Sequence, residues 1–392
     1  MEKVYILSAT RTAIGSFGGV FKDISAVQLG GIAIEGAISQ ALISHTSVEE
    51  VFMGNVLSAN LGQAPAKQAA LKAGIPHSVP CTLVNKVCAS GIKSIMLAAQ
   101  SIQLGQNHVA VAGGMENMSS APYYVPQARF GYKFGSNQFV DGLEKDGLQD
   151  AYNQNAMGVF ADNTAEKYKI SRAEQDDFAI ASYQKVDQTT QAGIFKEEIT
   201  PVKVPQRKGP ELVIDEDEEF KRVRYDKIPQ LRAAFSKDGT VTAANASTIN
   251  DGASALVLAS ESFVRSHGLT PIAEILSYAD ASQAPEWFTT SPIPAAQKAL
   301  ERAGLKNDDI DLFEVNEAFA VVPMVFGKEQ GIHSQKINIH GGAVAMGHPL
   351  GASGARIVTT LINALGATKT DLGCSAICNG GGGASALIIR KL

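Results

Sequence analysis

The sequence predicts an α/β protein made of two copies of one unit, with an insertion in the first copy. Three observations predict it. Short words recur in the same order at an offset of about 265 residues. Val4-Tyr-Ile-Leu-Ser8 answers Ala273-Glu-Ile-Leu-Ser277, Asn55 after Val51-Phe-Met-Gly answers Asn316 after Leu312-Phe-Glu-Val, and Ala89-Ser-Gly91 answers Ala352-Ser-Gly354. Within each copy, strand-like runs alternate with stretches of helical apolar spacing, the pattern of layered α/β proteins. The stretch from about 119 to 248 has no counterpart in the other copy.

Taken in chain order, Val4–Ser8 opens the first copy as a strand, residues 27–42 have helical spacing, and a short β-like run lies near 51–57. The apolar run Cys81–Val87 steps into a helix that begins near Ala89 and carries Ile92, Ile95, Met96, Ala99 and Ile102 at three- and four-residue steps. Val109–Gly114 is a strand ending in glycines. The insertion opens with Tyr/Pro/Gly-rich segments (Pro122–Pro126, Phe130–Gly135), continues through an amphipathic helix near 172–192, and contains the acidic run Asp215-Glu-Asp-Glu-Glu219, read as a solvated loop. The first copy resumes at Thr248–Ala259. The second repeats the order with a strand at Ala273–Ser277, helical spacing at 295–303, a β-like run at 311–315, a helix with Ile357, Val358, Leu361, Ile362 and Leu365, and a last strand–glycine step at Ser375–Gly380. The helices after Ala89 and Ala352 carry almost no charge, so burial between sheets is expected for both. The division is 1–118 plus 249–270, an insertion over 119–248, and 271–392.

Composition bounds the function. Forty-five per cent hydrophobic residues, 19% charged residues and a net charge of −5 exclude a disordered chain and argue against a nucleic-acid binder, which needs a basic surface. No run approaches the ~18–20 apolar residues that span a bilayer. Four cysteines (Cys81, Cys88, Cys374, Cys378) are too few for a disulfide scaffold, and none is spaced Cys-x-x-Cys. The first residues lack the features of a secretory signal and the last do not match Ser-Lys-Leu, so a cytoplasmic location with reduced thiols is expected.

Cys88 sits where an apolar run meets a helix start. Free backbone N–H groups and the dipole there favour a thiolate and can hold an oxyanion; a buried structural cysteine is the equal alternative. His348 lies in a glycine-rich turn four residues before the second Ala-Ser-Gly. If pseudo-twofold packing brings the two helix starts together, a nucleophile and a base arrive from opposite halves. Cys378 ends a strand before Asn379-Gly-Gly-Gly-Gly383, where a second thiol in another protonation state is an acid/base candidate. Neither phosphate-binding glycine motif is present. Asn316 either caps a helix or points its amide at developing negative charge; spacing does not decide.

The blocks Asn85-Lys-Val-Cys-Ala-Ser-Gly91, Gly113-Gly-Met-Glu-Asn-Met-Ser119, Asn316-Glu-Ala-Phe, Gly341–Gly354 and Cys378-Asn-Gly380 resemble the thiolases from end to end, most closely the acetyl-CoA acetyltransferase subgroup. The resemblance implies two βαβαβαββ halves in α-β-α-β-α layers with a loop domain that holds coenzyme A. It implies Cys88 as the S-acetylated nucleophile, His348 as its activator, and an enolate held by His348 with a water on Asn316. Cys378 would be the acid/base, with backbone N–H groups of Cys88 and Gly380 as the second oxyanion hole. Arg222 and Lys227 would lie near nucleotide phosphates, Ser247 near the pantetheine, and Met157, Phe288 and Phe319 would wall the acyl pocket. Some members bind potassium, and the matching positions here are Tyr183, Ala243, Ala244, Ala246 and Val344. A homodimer or homotetramer acting on acetyl-CoA, acetoacetyl-CoA and CoA is implied, with no redox cofactor, nucleic acid or membrane. One departure stands out: Ala156 replaces a His often found before Met-Gly, which widens the expected tunnel. Rival readings are a longer-chain 3-ketoacyl-CoA thiolase, a thioester hydrolase using Cys88 and His348 alone, and a non-catalytic acyl-CoA binder.

Overall fold

Side-chain alternation along the strands decides the layering. A computed structural model of the chain describes residues 2–392. Its first half runs β1 (Val4–Arg11), α1 (Ala26–Ala41), β2 (Glu50–Gly54), α2 (Pro65–Lys72), β3 (Cys81–Val84), α3 (Ser90–Gln103) and β4 (Val109–Asn117). After the insertion, with α4 (Met157–Tyr168) and α5 (Arg172–Gln191), β5 (Asn250–Ser260) completes that half. The second half is β6 (Ala273–Ser282), α6 (Pro292–Ala303), β7 (Leu312–Val315), α7 (Val321–Gln330), α8 (Leu350–Thr368), β8 (Leu372–Asn379) and β9 (Gly383–Lys391).

On β5, Ala253, Ala255, Val257 and Ala259 face a core shared with α1 and α2, while Leu256 and Leu258 face another shared with α3 and α8. On β8 and β9, Cys374, Ala376, Ala384 and Ala386 face a core with α6 and α7, while Ile377, Leu387 and Ile389 turn back to α3 and α8. Strands buried on both faces need helices on both sides, and the result is five layers, α-β-α-β-α. The strands follow the order β7-β8-β9-β6-β1-β5-β4-β2-β3, with Gly15–Ser16 paired to β5. The two halves join edge to edge through a short antiparallel register, Val4↔Ile275, Tyr5↔Glu274 and Ile6↔Ala273. The eight-element pattern is complete in the first half. In the second, the counterpart of β3 shrinks to one parallel bridge, Phe313↔Ile337.

The recurring Ala-Ser-Gly words mark where α3 and α8 cross. A Cβ on Gly91 would sit 2.6 Å from the backbone N of Ala355, and one on Gly354 would sit 2.4 Å from that of Ile92. Only glycine permits this backbone-to-backbone approach. It sets both helix starts, and the residues just before them, side by side.

The insertion is pinned to the core by the acidic run, which corrects the solvated-loop reading. Asp217 is buried and forks onto Arg11, accepting from Nη1 at 2.7 Å and Nη2 at 2.9 Å, and also accepts from the Ile14 N–H at 2.8 Å. Glu218 accepts from the backbone N–H groups of Ser16 (3.0 Å) and Val20 (3.1 Å). A buried carboxylate requires such partners; the partner Arg11 is about 200 residues away in sequence, so local charge density could not announce it. Among the described residues, no helix is long and apolar enough to cross a membrane.

Candidate active site

The turn between β3 and α3 presents Cys88. Val87, just before it, has φ +49°, a left-handed conformation that a β-branched residue rarely adopts. No side chain caps α3, and the N–H of its first residue, Ser90, donates to the Val87 carbonyl at 3.0 Å. The backbone N–H groups of Gly380 and of Cys88 itself point at the sulfur, yet burial outweighs them and pushes the thiol pKa up to about 12. This overturns the expectation that the helix start makes Cys88 a thiolate at rest: desolvation of the charged form is the larger effect. Cys378, at the end of β8, is fully buried. Burial first, then the neighbouring Cys88, holds its pKa well above the ordinary thiol range. Both thiols are protonated in the resting site.

His348 reaches the same place from the turn before α8. Gly347, at φ +110°, lets that turn close: a Cβ there would lie 2.2 Å from the Asn250 side chain, whose Oδ1 accepts from the His348 N–H at 2.9 Å. Ser353, one turn into α8, donates its hydroxyl to the Pro349 carbonyl (2.9 Å) and lies 2.6 Å from His348 Nδ1. With its proton used there, the hydroxyl accepts from Nδ1–H, which leaves the proton off Nε2. Nε2 has no partner among the described residues. Burial, with a smaller contribution from Arg356, lowers the imidazole pKa to about 3. The ring is a neutral base.

Asn316 follows β7 and is fully buried. Arg356 on α8 donates Nη1 to Glu314 (2.8 Å) and Nη2 to Asn316 Oδ1 (3.3 Å); the Asn316 amide nitrogen lies 3.5 Å from His348 Nδ1, a contact without a hydrogen bond while Nδ1 carries the proton. On the other side Glu116 collects four donors, Asn55 Nδ2 at 2.6 Å and the N–H groups of Val56, Leu57 and Gly351 at 3.0, 3.1 and 2.8 Å. It ties the start of α8 to the loop after β2, while burial moves its own pKa up to about 7.

Cys88, His348 and Gly380 form one end of a cavity of about 580 Å³. Met157, Phe288 and Phe319 wall it, with Ala156 and Ser247 beside them and Arg222 on its lining. Cys378 and Asn316 stand outside that lining, in the buried layer. Lys227 is exposed next to Asp226 and does not line the cavity. Ala243 and Ala246 line it and Ala244 is buried, whereas Tyr183 and Val344 share another buried cluster with Phe220. Among the described residues, no group of three or more His, Cys, Asp or Glu could hold a metal ion.

Sequence reasoning missed Ser353, Arg356, Glu314, Asn250, Glu116 and the cavity residue Phe235. Ser353 and Glu116 lie inside the quoted motifs, where a count of hydrogen-bonding groups could have raised them. Arg356 was visible as the only charge on its otherwise apolar helix. Asn250 and Phe235 carry no local signal.

Residues 4–262 match the family described as thiolase, N-terminal domain, and residues 269–391 match thiolase, C-terminal domain. The chain is 52% identical over 391 residues to an acetyl-CoA acetyltransferase of Schizosaccharomyces pombe, covering 100% of this chain and 99% of that one. It is 48% identical to a cytosolic acetyl-CoA acetyltransferase of Gibberella zeae (100% and 99% covered) and 50% identical to a mitochondrial one of Rattus norvegicus (100% and 92%). Among solved structures, Acat5 thiolase from Ascaris suum in complex with coenzyme A superposes with a TM-score of 0.95 at 48% identity, covering all of both chains.

Proposed function

The chain belongs to the thiolase family and is an acyltransferase, and from that premise we propose that it catalyses 2 acetyl-CoA ⇌ CoA + acetoacetyl-CoA through an S-acetylated Cys88. The observation that carries the reading is the convergence of Cys88, His348 and Gly380, from both halves of the chain, on one cavity. The half-buried Cys88 thiol and the His348 imidazole, its Nε2 bare, line a cavity that also bears Arg222, and the Cys378 thiol is buried outside that lining.

In the first half-reaction Cys88 gives its proton to His348 Nε2 and its sulfur attacks the acetyl carbonyl. The carbonyl oxygen becomes negative against the N–H groups of Cys88 and Gly380. The C–S bond to CoA then breaks, and CoA leaves with the proton of Cys378. That leaves S-acetyl-Cys88, an imidazolium and a Cys378 thiolate. The thiolate takes an α-proton from the second acetyl-CoA, while the imidazolium and a water held by Asn316 stabilise the enolate oxygen. The enolate carbon attacks the acetyl-enzyme, the Cys88–acyl bond breaks, and Cys88 recovers its proton from His348. Cys88, His348 and Cys378 end in their starting protonation states, the proton Cys378 gave to CoA being replaced by the α-proton of acetyl-CoA. Reversal is thiolysis, and separation of the two half-reactions makes the kinetics ping-pong.

Coenzyme A would lie along the cavity, its pantetheine by Ser247, Met157, Phe288 and Phe319 and its phosphates toward Arg222 and Lys227. Potassium at Tyr183, Ala243, Ala244, Ala246 and Val344 is part of the proposal, since neutral phenol and carbonyl oxygens are suitable donors for a hard cation; a rate insensitive to added KCl removes it. A cytosolic dimer or tetramer is the expected form, to be checked by light scattering and cell fractionation. The deciding experiment is thiolysis of four-, six-, eight- and ten-carbon 3-ketoacyl-CoAs with CoA varied. Preference for the four-carbon substrate with parallel double-reciprocal lines supports the proposal. Intersecting lines, or equal rates at eight carbons, defeat it.

A further inference from the structure

We propose that Lys86 is a positioning residue, clamping the nucleophile turn of the first half onto β6 and β9 of the second half, beside the strand that carries Cys378. The inference rests on the function proposed above and adds a residue to it. The Lys86 ammonium donates to the Asp280 carboxylate, to Ser385 Oγ (2.8 Å) and to the Ala384 carbonyl (3.2 Å). Asp280 and Ser385 face each other in the β6–β9 register, and Ala384 is the cross-strand partner of Cys378. One side chain thus runs from two residues before Cys88 to the residue paired with Cys378.

The backbone it holds is strained. Val87 keeps its left-handed conformation because groups on both sides fix it. Asn85 Oδ1 accepts from the Val87 N–H at 3.0 Å, and Ser90 Oγ accepts from the Lys86 N–H at 2.8 Å while donating to the Val87 carbonyl at 2.6 Å. These bonds all lie within the turn and set its shape. Of the hydrogen bonds named here, those of the Lys86 side chain are the ones that reach the other half, adding to the α3–α8 crossing.

Lys86 and Asp280 are partly exposed, 24% and 37%. An ion pair of that exposure contributes little to stability, whereas a displacement of about 1 Å between reacting groups costs roughly a hundredfold in rate. Lys93 supplies an internal control. It donates to the other Asp280 oxygen at 2.7 Å, from a position on α3 seven residues beyond Lys86, so its side chain ties the helix rather than the turn residue itself to Asp280.

The test is single-turnover acetylation of Cys88 by acetyl-CoA, followed by intact-protein mass spectrometry, with steady-state kcat and KM and thermal melts on the same samples. Lys86→Met should slow acetylation by about tenfold to a hundredfold with KM for acetyl-CoA and the melting temperature near wild type. Asp280→Asn should follow it, Lys86→Arg should recover part of the rate, and Lys93→Met should stay within about twofold of wild type. Equal losses for Lys86→Met and Lys93→Met, or a Lys86→Met loss tracking a lower melting temperature or a raised KM, overturn the clamp. Wild-type rates in both Lys86→Met and Asp280→Asn overturn it too. Failure of the wild-type enzyme to acetylate at Cys88 overturns the functional reading itself, and the clamp with it.

Discussion

Cys88 and His348 are matched by desolvation. One is held as a thiol and the other as a free base, so charge separation waits for a substrate that stabilises it. The first prediction follows from Cys88. Its pKa is raised to about 12, so the thiolate fraction is small at neutral pH and grows with each pH unit. Alkylation of Cys88 by iodoacetamide, mapped by peptide mass spectrometry, should rise steadily from pH 7 to 9.5; a plateau below pH 8 would show a resting thiolate and remove the need for His348. The second concerns the tautomer. Ser353→Ala frees Nδ1 of its acceptor and lets the proton move to Nε2, so kcat should fall roughly tenfold to a hundredfold with little change in KM. An unchanged kcat would mean that Ser353 does not set the tautomer. The third separates the thiols: Cys88→Ala should show no acetyl label, whereas Cys378→Ala should acetylate slowly at Cys88 and fail to condense.

At the scale of elements, two contacts place the site, the α3–α8 crossing and the docking of the insertion. Gly354→Ala forces a methyl group onto the Ile92 backbone, and overpacking of this kind costs about 1–3 kcal/mol. Because the crossing sets Cys88 against His348, activity should fall by more than the denaturation midpoint suggests; full kcat with a lowered midpoint would uncouple them. Asp217→Asn weakens the fork on Arg11 while the buried Glu198 still pairs with it at 2.5 Å, so the cost is that of poorly satisfied buried donors, about 1–3 kcal/mol. Urea denaturation followed by far-ultraviolet circular dichroism checks it, and a loss under 1 kcal/mol would show that the buried pair is not needed. The helices were legible because their apolar spacing is local: the expected 27–42, 172–192 and 295–303 are Ala26–Ala41, Arg172–Gln191 and Pro292–Ala303. The role of Asp217 was not legible, because its partner Arg11 lies in another part of the chain.

For the molecule as a whole, the two halves share one buried face. Ile357, Leu361, Ile377, Leu387 and Ile389 of the second half pack on Ile92, Ile95, Leu256 and Leu258 of the first. Residues 271–392 expressed alone would expose that face to water, so they should aggregate or show a collapsed amide spectrum by NMR. A dispersed spectrum would show that the half folds independently. The duplicated α/β pattern could be read from the chain by itself, since periodicity, repeats and glycine words are written in neighbouring residues, whereas the roles of Asn316 and Gly380 came only through the resemblance to the thiolases. Protonation states were decided only by the tertiary structure. The helix start at Cys88 argues locally for a thiolate, but burial by residues from both halves wins, and the same burial strips His348 of its proton. Desolvation depends on everything packed around a group, and that is set only when the chain has folded.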